Sequence, residues 1–161
     1  MPTVVAPPCT IRAAAWPGDG EWVRGLIGEY VARLGVDLSF QHVAEELASL
    51  PGAYAPPRGA LLVATIADDI AGMVAHRPLG KDACEMKRLY VRPAFRGREI
   101  GRALGGAIVA EARRAGYGRM LLDTLESMKA ARGLYAELGF RPVAAYYVNP
   151  LPGAAYLGLD L

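Results

Sequence analysis

The spacing of apolar and polar positions predicts two helices and a loop in the first part of the chain. Between positions 21 and 34 apolar residues recur every three or four residues, which is typical of an amphipathic helix, and Gly35 suits its C-terminal cap. Ser39 is a candidate N-cap for a second helix. The Pro- and Gly-rich segment 51–59 has no such period, and it therefore predicts a loop.

Short apolar, β-branched or aromatic runs elsewhere predict strands. These runs lie at positions 10–14, 60–67, 70–76, 85–91, 119–123, 140–145 and 154–161. Two further helices are expected among them, one from Ile100 to about Ala115 and one that begins after the candidate N-cap Ser127 and ends at Gly139. The pattern contains every element of a mixed α/β protein.

The order of these elements predicts the fold class. The chain has no internal repeat and no linker that would divide it, so we expect a single domain over residues 1–161. The expected fold is α/β (α+β), with a mixed central sheet of about six to seven strands flanked by helices. The sequence does not determine how the strands pair.

Composition and charge exclude several classes of protein. Hydrophobic residues make up 53% of the 161 positions and charged residues 21%, which excludes a disordered chain. A net charge of +2 is too small for a nucleic-acid-binding surface, and no apolar run approaches the ~18 residues of a membrane span. The two cysteines and two histidines form neither a disulfide framework nor a metal motif. Without a signal-peptide pattern in residues 1–10, we expect a cytoplasmic protein.

The segment from Glu85 to Gly101 reads as a strand, a turn and the start of a helix. Pro93 ends the strand because it has no backbone N–H to donate, and Gly97 lies in the turn. Free N–H groups and the positive end of the dipole make a helix N-terminus an anion site. Basic residues crowd this segment against the single acid Glu99: Lys87, Arg88, Arg92, Arg96, Arg98 and Arg102. Such a turn favours a polyphosphate ligand.

Two motifs in this order resemble those of the GNAT superfamily of N-acetyltransferases. The first is Arg96-Gly97-Arg98-Glu99-Ile100-Gly101 after Leu89-Tyr90-Val91, which is similar to the superfamily's pyrophosphate-binding motif. The second is Ala131-Arg132-Gly133-Leu134-Tyr135 followed by Gly139-Phe140, at the expected distance downstream. Glu99 departs from the pattern, because the superfamily usually has its central glycine there. The resemblance covers residues 60–145 and implies a GNAT-like fold.

The resemblance implies a co-substrate, acetyl-CoA, and the residues that bind it. Leu89 and Val91 would bond the pantetheine amides through their backbones, as an added strand does at a sheet edge. The turn and the helix start would hold the phosphates, with the Glu99 side chain directed to solvent. The implied cofactor-binding residues are Leu89, Tyr90, Val91, Arg96, Gly97, Arg98, Glu99, Ile100, Gly101 and Arg102.

The resemblance also implies catalytic roles for two residues. Tyr135 stands where many members of the superfamily place the general acid that protonates the departing thiolate, and its alternative is an aromatic residue of the core. Glu85 stands near the usual base, which acts directly or through a water. A structural ion pair with Lys87 or Arg88 is the alternative for Glu85, because a carboxylate inside a sheet needs a partner.

The acceptor is not readable from the sequence. Aromatic residues in the two N-terminal helices, the 51–59 loop and the 146–153 segment suit a small amine or an amino-acid-like acceptor, and they suit the core or a homodimer contact equally well. The expected activity is direct acetyl transfer to that amine. The alternative is a non-catalytic CoA-binding module, which Glu99 and Met128 would permit because both depart from the superfamily's pattern.

Overall fold

A computed structural model describes residues 1–3 and 5–161 and contains one seven-stranded sheet. The strands are β1 (Cys9–Ala13), β2 (Ala60–Ile66), β3 (Asp69–Leu79), β4 (Ala83–Val91), β5 (Arg119–Leu125), β6 (Arg141–Pro142) and β7 (Ala154–Asp160). The helices are α1 (Gly20–Leu34), α2 (Val43–Ser49), α3 (Ile100–Arg114) and α4 (Lys129–Leu138). The predicted α+β class, with six to seven strands flanked by helices, is confirmed.

The sheet has the order β1-β2-β3-β4-β5-β7-β6, and only the β4–β5 pair is parallel among the described strands. Helices cover both faces. On one face α3 and α4 pack over a core that includes Leu104, Ile108 and Met120, and on the other α1 packs over Val63 and Met73. This two-sided burial explains why several strands read as continuous apolar runs.

Four sequence predictions need correction. Ser39 begins a separate short 3-10 turn, and His42 occupies the N-cap position of α2. The run 70–76 belongs to a longer strand that reaches Leu79. The predicted strand 140–145 is reduced to Arg141–Pro142, because Pro142 has no N–H for the ladder, and one further backbone bond, from Val143 N–H to the Tyr156 carbonyl at 2.9 Å, follows it. Ser127 does not cap α4, since Met128 occupies the N-cap position without a side-chain bond.

The two central strands diverge soon after they meet. Their parallel pairing joins Ala83–Glu85 to 119–121 and then stops, although β5 continues beside β7 to Leu125. Beyond Glu85 the edge of β4 that faces β5 has no strand partner. An opening therefore forms between the strands, in the middle of the sheet.

A bulge in β4 accompanies this divergence. Met73 opposes Tyr90 and Ala75 opposes Lys87, so Arg88 and Leu89 together face a single residue of β3. Arg88 adopts a left-handed backbone with φ of 61°. An extra residue bends the strand and increases its twist, which turns the end of β4 away from β5.

The Arg88 side chain connects this bulge to α2. It is 1% exposed, and its Nε and Nη2 donate to the two oxygens of Glu46 at 3.0 and 3.1 Å. Its Nη1 donates to Gln41 at 2.8 Å, and the hydroxyl of Tyr54 donates to Glu46 at 2.8 Å. A single buried guanidinium thus fixes α2 and the turns on either side of it over the sheet.

We predict that Glu46→Gln lowers the free energy of unfolding by about 3 kcal/mol, because it leaves the buried Arg88 guanidinium without a counter-charge. Urea denaturation measures this change. The matched control is Glu45→Gln, at an exposed position of the same helix, where a change within about 0.5 kcal/mol is expected. Equal effects of the two substitutions would contradict the assigned role of the ion pair.

Candidate active site

Three adjoining cavities follow the opening between β4 and β5. The α3 cleft, of about 850 Å³, lies between the end of β4, the start of α3 and the face of α4. The neck, of about 40 Å³, lies between the diverging strands. The inner cavity, of about 420 Å³, lies under α2. Leu89 and Met128 line both cleft and neck, and Gln41 and Lys87 line both neck and inner cavity, so neighbouring cavities share walls, and the series of three is called the passage.

The exposed edge of β4 supplies backbone groups to the α3 cleft. The N–H of Arg92 donates to Ala71 of β3 at 2.8 Å, and because strand groups alternate in direction, those of Val91 and Leu89 point away from β3. Arg96 confirms this direction, since its Nε donates to the carbonyl of Val91 at 3.1 Å. The edge can therefore pair with an extended ligand that carries amide groups.

The turn before α3 has the geometry of an anion site. Gly97 and Glu99 both have positive φ, 80° and 62°, and α3 begins at the next residue, Ile100. The first N–H groups of α3 have no partner within the helix, and Ile100 and Gly101 line the cleft. The left-handed backbone at position 99 also explains why a glycine is usual there.

The cationic side chains of this region have different surroundings. Arg96 and Arg102 line the cleft, as do Arg33 of α1 and Lys129 of α4, which the sequence analysis did not single out. Arg98 is exposed, packs over the ring of Phe95 at 5.8 Å and does not line the cleft. The cleft wall therefore carries four positive side chains on three helices and the turn, together with the acids Glu99 and Glu137, both of which pair with Arg102.

Glu99 and Tyr90 contribute little side-chain surface to an anion. The Glu99 carboxylate is exposed and bonds Arg102 at 2.8 Å, and Arg102 also reaches Glu137 at 2.5 Å. The expectation that the Glu99 side chain faces solvent is confirmed. The ring of Tyr90 is buried below α1, edge-to-face with Tyr30 at 6.2 Å.

Tyr135 lies in the neck, between the α3 cleft and the inner cavity. Its side chain projects from α4, packs edge-to-face against Phe140 at 5.9 Å and is 6% exposed. Burial raises the pKa of its hydroxyl. The group therefore stays protonated at neutral pH and holds a proton where the two larger cavities meet.

Glu85 lies in the wall of the inner cavity and is 1% exposed. Its Oε1 accepts a hydrogen bond from Arg77 Nε at 2.9 Å and lies 2.9 Å from Arg77 Nη2 in the same ion pair, and its Oε2 accepts from the hydroxyl of Tyr146. Lys87 Nζ is 3.9 Å from Oε1, whereas Arg88 pairs with Glu46 instead. The carboxylate is thus ion-paired and keeps free lone pairs on both oxygens.

Residues that the sequence analysis missed complete the inner cavity. Arg77 lies in the part of β3 that was not predicted, directly opposite Glu85. Asp123, at the neck, accepts from the hydroxyl of Tyr147 and from Asn149 Nδ2. The sequence does contain a signal that Lys87 belongs near Glu85. The two residues are two positions apart on one strand, and such residues share a face of the sheet. Arg77 and Asp123 carried no comparable signal.

Comparison with known proteins now identifies the class. Residues 21–140 match the family model described as Acetyltransferase (GNAT) family. An uncharacterized N-acetyltransferase of Schizosaccharomyces pombe is 41% identical over 154 residues, which cover 94% of each chain. The N-acetylaspartate synthetase of Mus musculus is 35% identical over 99 residues, 61% of this chain and 33% of that protein.

Solved structures agree in fold. An acetyltransferase from Streptococcus agalactiae has a TM-score of 0.76 at 20% identity and covers 95% of this chain and 98% of its own. An acetyltransferase of Salmonella typhimurium, solved with its cofactor acetyl-CoA, has a TM-score of 0.69 at 22% identity and covers 94% and 93%. The chain therefore belongs to the GNAT family of acetyltransferases. It is an enzyme of the N-acetyltransferase class.

We predict that Glu99→Gly does not destabilise the protein and raises its melting temperature, because glycine adopts a positive φ without the cost of about 1 kcal/mol that a side chain incurs. Loss of the exposed bond to Arg102 offsets only a small part of this gain. Scanning calorimetry of Glu99→Gly against Glu99→Ala tests the point. A lower melting temperature for the glycine variant than for the alanine variant would refute it.

Proposed function

We propose that the protein transfers an acetyl group from acetyl-CoA directly to the amine of a small or amino-acid-like acceptor. The passage from the α3 cleft through the neck to the inner cavity carries this proposal. It provides one compartment for a long cofactor, another for an acceptor, and a narrow meeting point that holds Tyr135. The resemblance to N-acetylaspartate synthetases supports an amino-acid-like acceptor.

The chemistry of the α3 cleft fits acetyl-CoA. The free edge at Leu89 and Val91 matches the pantetheine amides. The start of α3 at Ile100 and Gly101, with Gly97 in the turn, offers N–H donors to the pyrophosphate. Basic side chains around the cleft would attract the phosphates of acetyl-CoA electrostatically. When bound there, acetyl-CoA supplies the acetyl group as a thioester.

The basic side chains around the α3 cleft would contribute differently to phosphate binding. Arg96 and Arg102 line the cleft, so we assign phosphate contacts to them, together with Arg33 and Lys129. Arg98 would reach a phosphate only by leaving its position over Phe95. For Glu99 the backbone, and not the carboxylate, would face the ligand.

Tyr135 and Glu85 would carry the two proton transfers. The Tyr135 hydroxyl, protonated at neutral pH, would give its proton to the sulfur that leaves. Glu85 would attract the acceptor's ammonium and take its proton, directly or through a water, on a lone pair that Tyr146 and Arg77 leave free. The neck brings the two reacting groups together, which itself lowers the barrier.

The alternative of a binding module without catalysis rested on Glu99 and Met128. Glu99 faces solvent, and Met128 lines the cleft and the neck as an apolar wall. Neither side chain blocks the passage. For the compartment, the free thiols of Cys9 and Cys84 fit the reducing cytoplasm, which we propose as the location.

The proposal predicts release of free CoA thiol from acetyl-CoA in the presence of an amine acceptor, and this release tests the function. Tyr135→Phe should keep cofactor affinity and lower turnover by ~10²–10⁴-fold, because it removes only the hydroxyl. Steady-state kinetics with calorimetric CoA binding measure both quantities. Tyr117→Phe, in the same core but outside the three cavities, is the control for loss of a buried hydroxyl.

Two outcomes would count against this account. Unchanged turnover in Tyr135→Phe would remove the general-acid role and leave the function intact. Binding of CoA without thiol release over a broad amine panel would refute the function itself and favour the binding module.

A further inference from the structure

Lys87 is a buried ammonium that the structure leaves without hydrogen bonds. Its side chain is 7% exposed, and it lines both the neck and the inner cavity. Within the described chain its Nζ makes only the 3.9 Å ion pair with Glu85 Oε1, which is beyond hydrogen-bond distance. In the described chain Nζ is not one of the sealed side-chain atoms without a partner, which are His76 Nδ1 and the Tyr90 hydroxyl, so its three donors reach the cavity. The missing partner is an acceptor of hydrogen bonds inside the cavity.

The surrounding charges do not supply that partner. The Arg88 guanidinium is matched by Glu46, and Arg77 forms the close ion pair with Glu85 and donates a hydrogen bond to its Oε1 through Nε. Across the neck, Asp123 already accepts from Tyr147 and Asn149. Burial lowers the pKa of Lys87, and the Glu85 charge opposes that shift only in part. Lys87 is therefore an under-compensated cation that faces open volume.

We propose that Lys87 binds the carboxylate of the acceptor, and that the acceptor is an α-amino acid. This inference rests on the proposed function. Glu85 attracts the acceptor's ammonium, and Lys87 Nζ lies 3.9 Å from Glu85 Oε1. The two acceptor charges must therefore lie side by side, as they do when the amine and the carboxylate share one carbon. In that pose the acceptor's ammonium lies beside the Glu85 carboxylate, and the acceptor's carboxylate lies beside the Lys87 ammonium. Each charged group then has an oppositely charged hydrogen-bond partner.

The size of the inner cavity agrees with this class. Its volume of about 420 Å³ extends from Lys87 past Arg77 to Tyr54 and the rim residue Glu45. The charged end of an amino acid needs only the inner part, so the rest is left for its side chain. Lys87 thus selects for the carboxylate, and the outer wall selects among side chains.

The test compares each standard L-amino acid with its own α-amide, which keeps the amine and the side chain but removes the carboxylate charge. For the preferred pair, the parent should use the acid better than the amide. Lys87→Met keeps the apolar stem, and it should raise KM for the acid about 10- to 100-fold. It should leave KM for the amide and for acetyl-CoA unchanged. Lys81→Met, in the exposed β3–β4 turn, is the matched control and should change none of these values.

The outcomes separate this inference from the function on which it rests. Transfer to amides as good as to acids, or equal losses for both in Lys87→Met, would overturn the carboxylate subsite and leave the acetyltransferase intact. No transfer to any amine would refute the function. In that case calorimetry would still test the carboxylate subsite by measuring the affinity of the CoA complex for the same acids and amides. Binding that does not favour the acid over its amide would overturn the subsite. If Lys87→Met fails to fold, the carboxylate subsite is tested instead with Lys87→Gln and with the ratio of the parent's activities on the acid and on its amide.

Discussion

The parting of β4 from β5 is the constraint on which the rest of the structure depends. Parallel pairing lasts for three residues of each strand, and the bulge at Arg88 then bends β4 away while β5 stays with β7. Buried backbone groups without partners are costly, so an unpaired edge in the middle of a sheet demands a ligand or water. The neck is lined by residues of both strands, and the α3 cleft and the inner cavity adjoin it. One irregularity of pairing thus places the neck between the two larger cavities.

The bulge also influences which charges pair around the inner cavity. It places the Arg88 side chain under α2, where Glu46 and Gln41 neutralise and orient it. Arg88 pairs with Glu46, and Glu85 therefore pairs with Arg77. The Nζ of Lys87 has only the longer contact with Glu85 Oε1. Burying a matched pair stabilises little beyond its desolvation cost, but it fixes α2 as the roof of the inner cavity. The packing of α2 and the charges that line the inner cavity are therefore coupled through the pairing of Arg88 with Glu46.

Sequence patterns predicted the parts of this fold that local physics decides. Apolar periods located the four helices, and Gly35 and Gly139 end α1 and α4 in the left-handed conformation expected of caps. The GNAT resemblance was confirmed by the family match. The left-handed backbone at Glu99 is the physical reason that a glycine is usual at this position of the motif.

What the sequence did not predict depends on contacts between distant segments. Nothing local indicates that β4 and β5 separate after three pairs, or that Arg77 lies opposite Glu85. Ser127 has the right residue type for an N-cap, yet Met128 takes that position. The short β6 follows from Pro142 and from the hydrogen bonds that Tyr146 and Tyr147 donate to Glu85 and Asp123, which are distant in sequence. Such features are settled by tertiary contacts, which override residue preference.

Amide hydrogen exchange along β4 tests the central claim most directly. In the free protein the amides of Leu89 and Val91 face the open cleft, whereas the amide of Arg92 bonds Ala71 and serves as an internal control. Saturating CoA should slow exchange at Leu89 and Val91 and leave Arg92 unchanged, because the pantetheine arm would pair with the free edge of β4. Undiminished exchange at both amides, with CoA binding verified by calorimetry, would contradict the account.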